Sequence, residues 1–101
     1  MKGSEVTMVR IYLHEAKGRV AELLRYLHDE CKVRGVTVFR GVTGFGETGK
    51  YHSSTLMDMS LDLPVVVEFY DDTSKVAATL EHLDTLVKPG HIVHWPATVN
   101  D

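Results

Sequence analysis

The 101-residue chain has a single cysteine, Cys31, so no disulfide can form within it and none is needed in a reducing compartment. It has no long hydrophobic run. The longest, Leu63-Pro64-Val65-Val66-Val67, falls far short of the roughly 20 apolar residues of a membrane-spanning helix. Met1-Lys2-Gly3-Ser4-Glu5 lacks the apolar core of a signal peptide. These absences predict a cytoplasmic protein that is not itself inserted in a membrane. Blocks of lysine and arginine are missing too, the formal net charge is −3, and no zinc-type Cys/His pair occurs, so nucleic acid is not an expected partner. No Ser/His/Asp set or carboxylate pair is placed together by its spacing, and we expect no enzyme.

What is present is ordinary for a small soluble fold: 44% hydrophobic and 25% charged residues in a length that suits one domain, residues 1–101. Such a chain buries only roughly 60–65% of its unfolded surface, so assembly would stabilise it further. From Val6 to Leu13 the side chains alternate, with Val9, Ile11 and Leu13 on one face and Met8, Arg10 and Tyr12 on the other, as in a strand. From about Lys17 to Arg34 the apolar positions Val20, Leu23, Leu24, Leu27 and Cys31 recur every three or four residues, as in an amphipathic helix stopped by Gly35. Val36–Val42 reads as a second strand and Leu63–Tyr70 as a third. Asp71-Asp72-Thr73-Ser74 then caps a second helix carrying Val76, Ala77, Leu80, Leu83, Leu86 and Val87, which Lys88-Pro89-Gly90 ends. His91–Trp95 is a short last strand that frays at Pro96.

The order β-α-β-β-α-β predicts an α+β, ferredoxin-like domain, with two helices on one face of a four-stranded antiparallel sheet. Val65, Val67 and Phe69 alternate with Val66, Glu68 and Tyr70, so the uncovered face also carries apolar area and is expected to pack on other subunits.

Four glycines fall within nine residues: Gly41, Gly44, Gly46 and Gly49. The stretch and the polar residues after it read as a long loop or a loop-tipped hairpin. Glycines this dense let backbone N–H groups converge on a phosphate or carboxylate, with Arg40 before them and Lys50 and His52 after. Equally, glycine here can serve only the turns of a hairpin tip. Gly44 to Lys50 matches the G-x-x-x-x-G-K half of a nucleotide-binding P-loop, but Tyr51 stands where Ser or Thr would reach Mg²⁺, and no helix is predicted to follow.

The unit Val38-Phe39-Arg40-Gly41-Val42-Thr43-Gly44-Phe45-Gly46, then His52, then Asp62-Leu63-Pro64-Val65-Val66-Val67-Glu68, resembles the PII-like family known as domain of unknown function 190, and more distantly the PII nitrogen-regulatory proteins. The resemblance extends from Val9 to Trp95. It implies a homotrimer that binds adenine nucleotides in clefts between subunits. It also implies a flexible loop, here about 43–60, that is presented to a partner such as a membrane transporter. Carried over residue by residue, it implies ligand contacts from Arg40, Gly41, Gly44, Phe45, Gly46 and His52. Lys88-Pro89-Gly90 then corresponds to a second phosphate-contacting loop, with Lys88 and Gly90 as candidates. Where PII proteins follow Gly-Phe-Gly with Arg-Gln, this chain has Glu47-Thr48, and the modifiable loop tyrosine has no counterpart in place. With fewer cations, AMP or ADP is the expected ligand rather than MgATP with 2-oxoglutarate.

The remaining chemistry-bearing residues have plainer readings. Six histidines raise a second functional reading, a trimeric metal-binding or metal-tolerance protein of CutA-like type. His91 and His94 are predicted on opposite faces of a strand, while His14, His28 and His82 stand singly. Cys31 lies on the apolar stripe of the first helix and reads as a small core residue. Asp71-Asp72 reads as helix capping, and Trp95 as a seal at a sheet edge or subunit contact.

Overall fold

The computed structural model describes residues 2–14, 19–45, 51–53 and 63–101, with backbone alone at 51–53. Strand β1 (Gly3–His14) leads to helix α1 (Arg19–Arg25), which widens without a break into π-type winding over Tyr26–Cys31. Then come β2 (Val36–Arg40), a small hairpin of β3 (Thr43–Phe45) and β4 (Tyr51–Ser53), β5 (Pro64–Asp72), helix α2 (Thr73–Leu83) and β6 (Ile92–Asn100). The main sheet is antiparallel throughout, in the order β2-β5-β1-β6, and the hairpin forms a separate two-stranded sheet. Each helix crosses over one intervening strand, which is the interleaved ferredoxin-like arrangement that the sequence predicts.

Alternation decides which face is buried. Val9 and Ile11 of β1 and Val65, Val67 and Phe69 of β5 point to the helices. There they meet Leu23 and Leu27 of the first helix and Val76 and Leu83 of α2 in one buried cluster. Each such side chain contributes roughly 1.5–3 kcal/mol when fully buried. The opposite face carries Met8, Arg10 and Tyr12 beside Val66, Glu68 and Tyr70, with Val93 and Trp95 across from Arg10 and Met8. Glu68 accepts a hydrogen bond from Arg10 Nε at 2.6 Å, and the Arg10 guanidinium lies 5.7 Å from the Trp95 ring centroid. Trp95 therefore sits on the open face under a cation. Glu68, with Tyr12 adding to it, holds the Arg10 pKa above its usual value.

Several boundaries differ from expectation, each for a physical reason. The first helix stops at Lys32, not Gly35. The π segment changes the winding, and the left-handed residue falls on Lys32 (φ 53°, ψ 44°), whose N–H donates to Leu27 O. Strand β2 ends at Arg40, because the Gly41 N–H turns to the Pro64 carbonyl at 2.7 Å. Helix α2 ends at Leu83, and a short turn separates it from Lys88-Pro89-Gly90. That second turn is closed by His91 N–H to Lys88 O, with Pro89 and Gly90 (φ 87°) in its middle, as a type II turn requires. Strand β6 does not fray at Pro96 but continues to Asn100, paired with β1 back to Gly3. As an edge strand it tolerates a residue with no N–H to donate.

The Asp71-Asp72 pair is also more than a cap. Asp71 and Asp72 are the last residues of β5, and Asp72 stands at the N-cap without a side-chain cap bond. Asp71 is buried. Its carboxylate accepts the N–H of Asp72 at 2.8 Å and of Arg34 at 3.0 Å, and pairs with Lys75 at 3.3 Å. Burial pushes this carboxyl up, but the two backbone donors and the Lys75 ammonium outweigh it and hold the pKa below the ordinary value.

Candidate functional site

Pro64 organises one end of the sheet. It opens β5, pairs with His14 at the end of β1, and receives the Gly41 N–H on its carbonyl. A Cβ built on Gly41 would lie 2.8 Å from Pro64 Cγ and 3.3 Å from its carbonyl oxygen, and one on Gly44 would lie 3.2 Å from Pro64 Cγ. Glycine at both positions lets the root of the loop close onto the proline. Among the described residues only Gly90 and Lys32 have positive φ, so Gly41 and Gly44 serve this close approach rather than a left-handed turn. Arg40 ends β2 opposite Val65. Beyond it Val42 and Phe45 are 71% and 65% exposed, an unusual outlay of apolar surface at the base of a loop. The β3–β4 pairing sets Gly44 opposite His52 and Phe45 opposite Tyr51, so a strand, and no helix, follows Lys50. Gly46 and the stretches 46–50 and 54–62 of the expected arm lie outside the described residues, as does the His52 side chain.

A cleft opens at the same end of the sheet, two strands from Gly41 and so roughly 10 Å away at the usual strand spacing. Its volume is about 220 Å³, and it is lined by Tyr12, Leu13, His14, Arg19, Leu86, Val87, Lys88 and His91. Three elements build it. The end of β1 brings Tyr12 and His14. The first residue of α1 brings Arg19, whose Nη1 donates to Leu86 O at 3.1 Å. The turn into β6 brings Lys88 and His91. His91 is tied to β1 twice: Tyr12 N–H donates to its carbonyl at 2.9 Å, and its Nδ1 lies 3.0 Å from Tyr12 O. That carbonyl can only accept, so His91 Nδ1 carries the proton there and Nε2 is the ring's other nitrogen. His14 turns its Nδ1 inward, away from solvent.

The structure thus brings Arg40, Gly41 and Gly44 together around Pro64, and sets Lys88 and Gly90 across the sheet end from them. Tyr12 and Arg19 were not sequence candidates, and His14 and His91 entered only through the metal-binding reading. Their side chains are 79 residues apart at the extremes, and no local pattern joins them. The strand order alone could have pointed to them, because it lays the end of β1 beside the start of β6. Among the described residues no three His, Cys, Asp or Glu side chains converge as a metal would need, and none of their helices is long and apolar enough to cross a membrane.

The fold has well-matched counterparts among solved structures. CPII from Thiomonas intermedia K12, bound to ADP and bicarbonate, superposes with a TM-score of 0.74 at 19% identity, covering 99% of this chain and 93% of that one. A structure of CPII described as a nitrogen regulatory PII-like protein, bound to ADP, AMP and bicarbonate, gives 0.68 at 18% identity over 99% and 100% of the two chains. In sequence, two UPF0166 proteins of Aquifex aeolicus (strain VF5) are 37% identical over 62 residues and 39% identical over 44 residues. Those matches cover 58% and 44% of this chain and 59% and 46% of the relatives, so they span only about half the length of the curated proteins. The DUF190 family, described as Uncharacterized ACR, COG1993, matches residues 6–99. The chain belongs to the DUF190 family and has a PII-like fold.

Proposed function

We propose that the protein is a nucleotide-responsive regulator. An adenine nucleotide, AMP or ADP, binds at the sheet end that holds the loop root and the Lys88–Gly90 turn. The loop at about 43–60 then engages a partner protein, a membrane transporter being the kind the resemblance suggests. One observation supports this above the others: Arg40 and the Gly41–Pro64 closure occupy the same end of the sheet as the cleft that Lys88 lines. The ADP and AMP carried by the CPII structures point the same way. Binding that favours one arrangement of the loop shifts its population and so selects the partner.

The protein is read as a binding protein in the cytoplasm and not as an enzyme, and Arg19 and Lys88 give the cleft lining the cationic character of an anion-binding site. It is read as a homotrimer assembled through the open sheet face. The metal-binding alternative gains His14 and His91 in one cleft, but Arg19 and Lys88 in that cleft repel a bare cation.

Calorimetric titration with AMP, ADP, ATP and a cyclic adenine nucleotide tests the reading. Saturable binding of AMP or ADP below millimolar concentration is expected. Absence of heat and of any melting-temperature shift for all four at millimolar ligand overturns it.

A further inference from the structure

Tyr12 belongs to two surfaces at once. It lines the cleft at the end of β1, and it lies with Met8 and Arg10 on the open face of the sheet. Its backbone is fixed. The Tyr12 N–H donates to the His91 carbonyl at 2.9 Å, and the Tyr12 carbonyl lies 3.0 Å from His91 Nδ1. Whatever enters the cleft therefore acts on Tyr12 through its ring, which is 41% exposed. On the open face the Tyr12 side chain is hydrogen-bonded to that of Arg10. Arg10 is held from two further strands. Its Nε donates to Glu68 Oε2 at 2.6 Å, and its guanidinium lies 5.7 Å from the centroid of the Trp95 ring. One polar row thus runs from the rim of the cleft to the middle of the open face. It is set among Met8, Val66, Tyr70 and Val93, and its ion pair is already half-withdrawn from water, with Arg10 44% and Glu68 20% exposed. A cation beside an anion makes the middle of this face self-complementary in charge, which suits a second copy of the chain. Covering the face removes the remaining water from the pair, and each hydrogen bond to the guanidinium then counts for more.

We infer that the row Tyr12–Arg10–Glu68 couples occupancy of the cleft to association of copies through the open sheet face. A ligand that fixes the Tyr12 ring fixes one hydrogen-bond partner of Arg10. It thereby favours the arrangement of Arg10, Glu68 and Trp95 that a neighbouring copy covers. Association in turn fixes Arg10, and with it Tyr12, so the coupling is equal in both directions. The inference rests on the proposed function for its ligand, ADP, and for its assembled state. Arg10 and Glu68 act in it as positioning residues, because neither is on the lining of the cleft.

The test is the rate at which copies of the full chain exchange between isotope-labelled and unlabelled assemblies, read by native mass spectrometry with and without saturating ADP. Calorimetry gives the ADP affinity in parallel. Wild type is compared with Tyr12→Phe, Arg10→Lys and Val93→Ala. Phenylalanine keeps the ring and removes the hydroxyl. Lysine keeps the charge beside Glu68 and removes the fork that reaches two partners. Both changes are conservative, so one decides the test if the other fails to fold. Val93→Ala thins the same face without touching the row. ADP is expected to slow exchange about fivefold or more in wild type and in Val93→Ala, and by under about twofold in Tyr12→Phe and Arg10→Lys. An undiminished ADP effect in either row variant overturns the coupling and leaves the nucleotide reading standing. Loss of the effect in Val93→Ala also overturns it, since any weakening of the face would then suffice. ADP that binds wild type without changing its exchange overturns it as well. A wild type that binds no ADP, or that is a monomer, removes the reading beneath the coupling and the coupling with it.

Discussion

Pro64 illustrates how single residues set the site. Its ring touches where Cβ atoms on Gly41 and Gly44 would go, and its carbonyl holds the Gly41 N–H. The loop therefore leaves the sheet at a defined point, immediately after Arg40. A charge-assisted phosphate contact contributes about 1.5–3 kcal/mol. Arg40→Ala is accordingly expected to weaken ADP by about tenfold while the oligomeric mass stays constant, and calorimetry with light scattering checks both. Unchanged affinity would remove Arg40 from the site. Asp71 is a second residue whose environment makes a measurable difference. Its folded pKa is depressed, so its ionised form contributes stability above the ordinary carboxylate pKa, and that contribution is lost as pH falls through the folded value. Asp71→Asn should cost roughly 1.5–3 kcal/mol at neutral pH. Urea midpoints measured from pH 7 down to about pH 3 should show wild type and variant converging below about pH 4. A gap that stays constant across that range would show that the ionised carboxylate is not what stabilises the junction.

At the scale of elements, the first helix is the least regular. Its apolar stripe runs from Val20 to Cys31, and Leu23 and Leu27 reach the core, yet the last six helical residues wind as a π segment. The winding ends in a left-handed lysine, a conformation that costs a non-glycine residue about 1–2 kcal/mol. Lys32→Gly removes that cost and gives back part of it as chain entropy, so a net gain of roughly 0.5–1 kcal/mol is expected in urea unfolding. A loss of stability would mean that the Lys32 side chain contributes more than its backbone costs. The stripe and the strand alternations were legible in the sequence because each reports a repeating local geometry. The stop at Lys32 was not. Gly35 is the better left-handed residue, and only the packing of Leu27 and the π winding carry the turn three residues earlier. The extension of β6 past Pro96 was hidden for a similar reason. Proline breaks a strand by rule, and the exception needs the knowledge that β6 lies at an edge.

At the scale of the whole molecule, the helices cover one sheet face and leave the other open. On that face Phe39, Val93 and Tyr12 are 50%, 48% and 41% exposed, alongside Met8, Val66, Tyr70 and Trp95. So much apolar and aromatic surface on one side of an 11.3 kDa chain favours association. Light scattering is expected to give three times the chain mass, and Val66→Asp at the middle of the face should reduce it to one. A wild-type monomer peak would overturn the trimer without touching the fold.

The sequence by itself determined the faces of β1 and β5, the two amphipathic helices, their order and the place of the glycine-rich loop. These features repeat over a few residues, and a local period is written in the side chains themselves. It also carried the resemblance that the DUF190 match bears out. The tertiary structure decided which distant residues meet. Arg19, Lys88, His14 and His91 share a cleft because β1 pairs with β6 in one register and α1 starts over the turn between α2 and β6. Asp71 became a buried junction for Arg34 and Lys75 by the same route. Register and crossover are set by the packing of the whole core, so no short stretch of sequence encodes them.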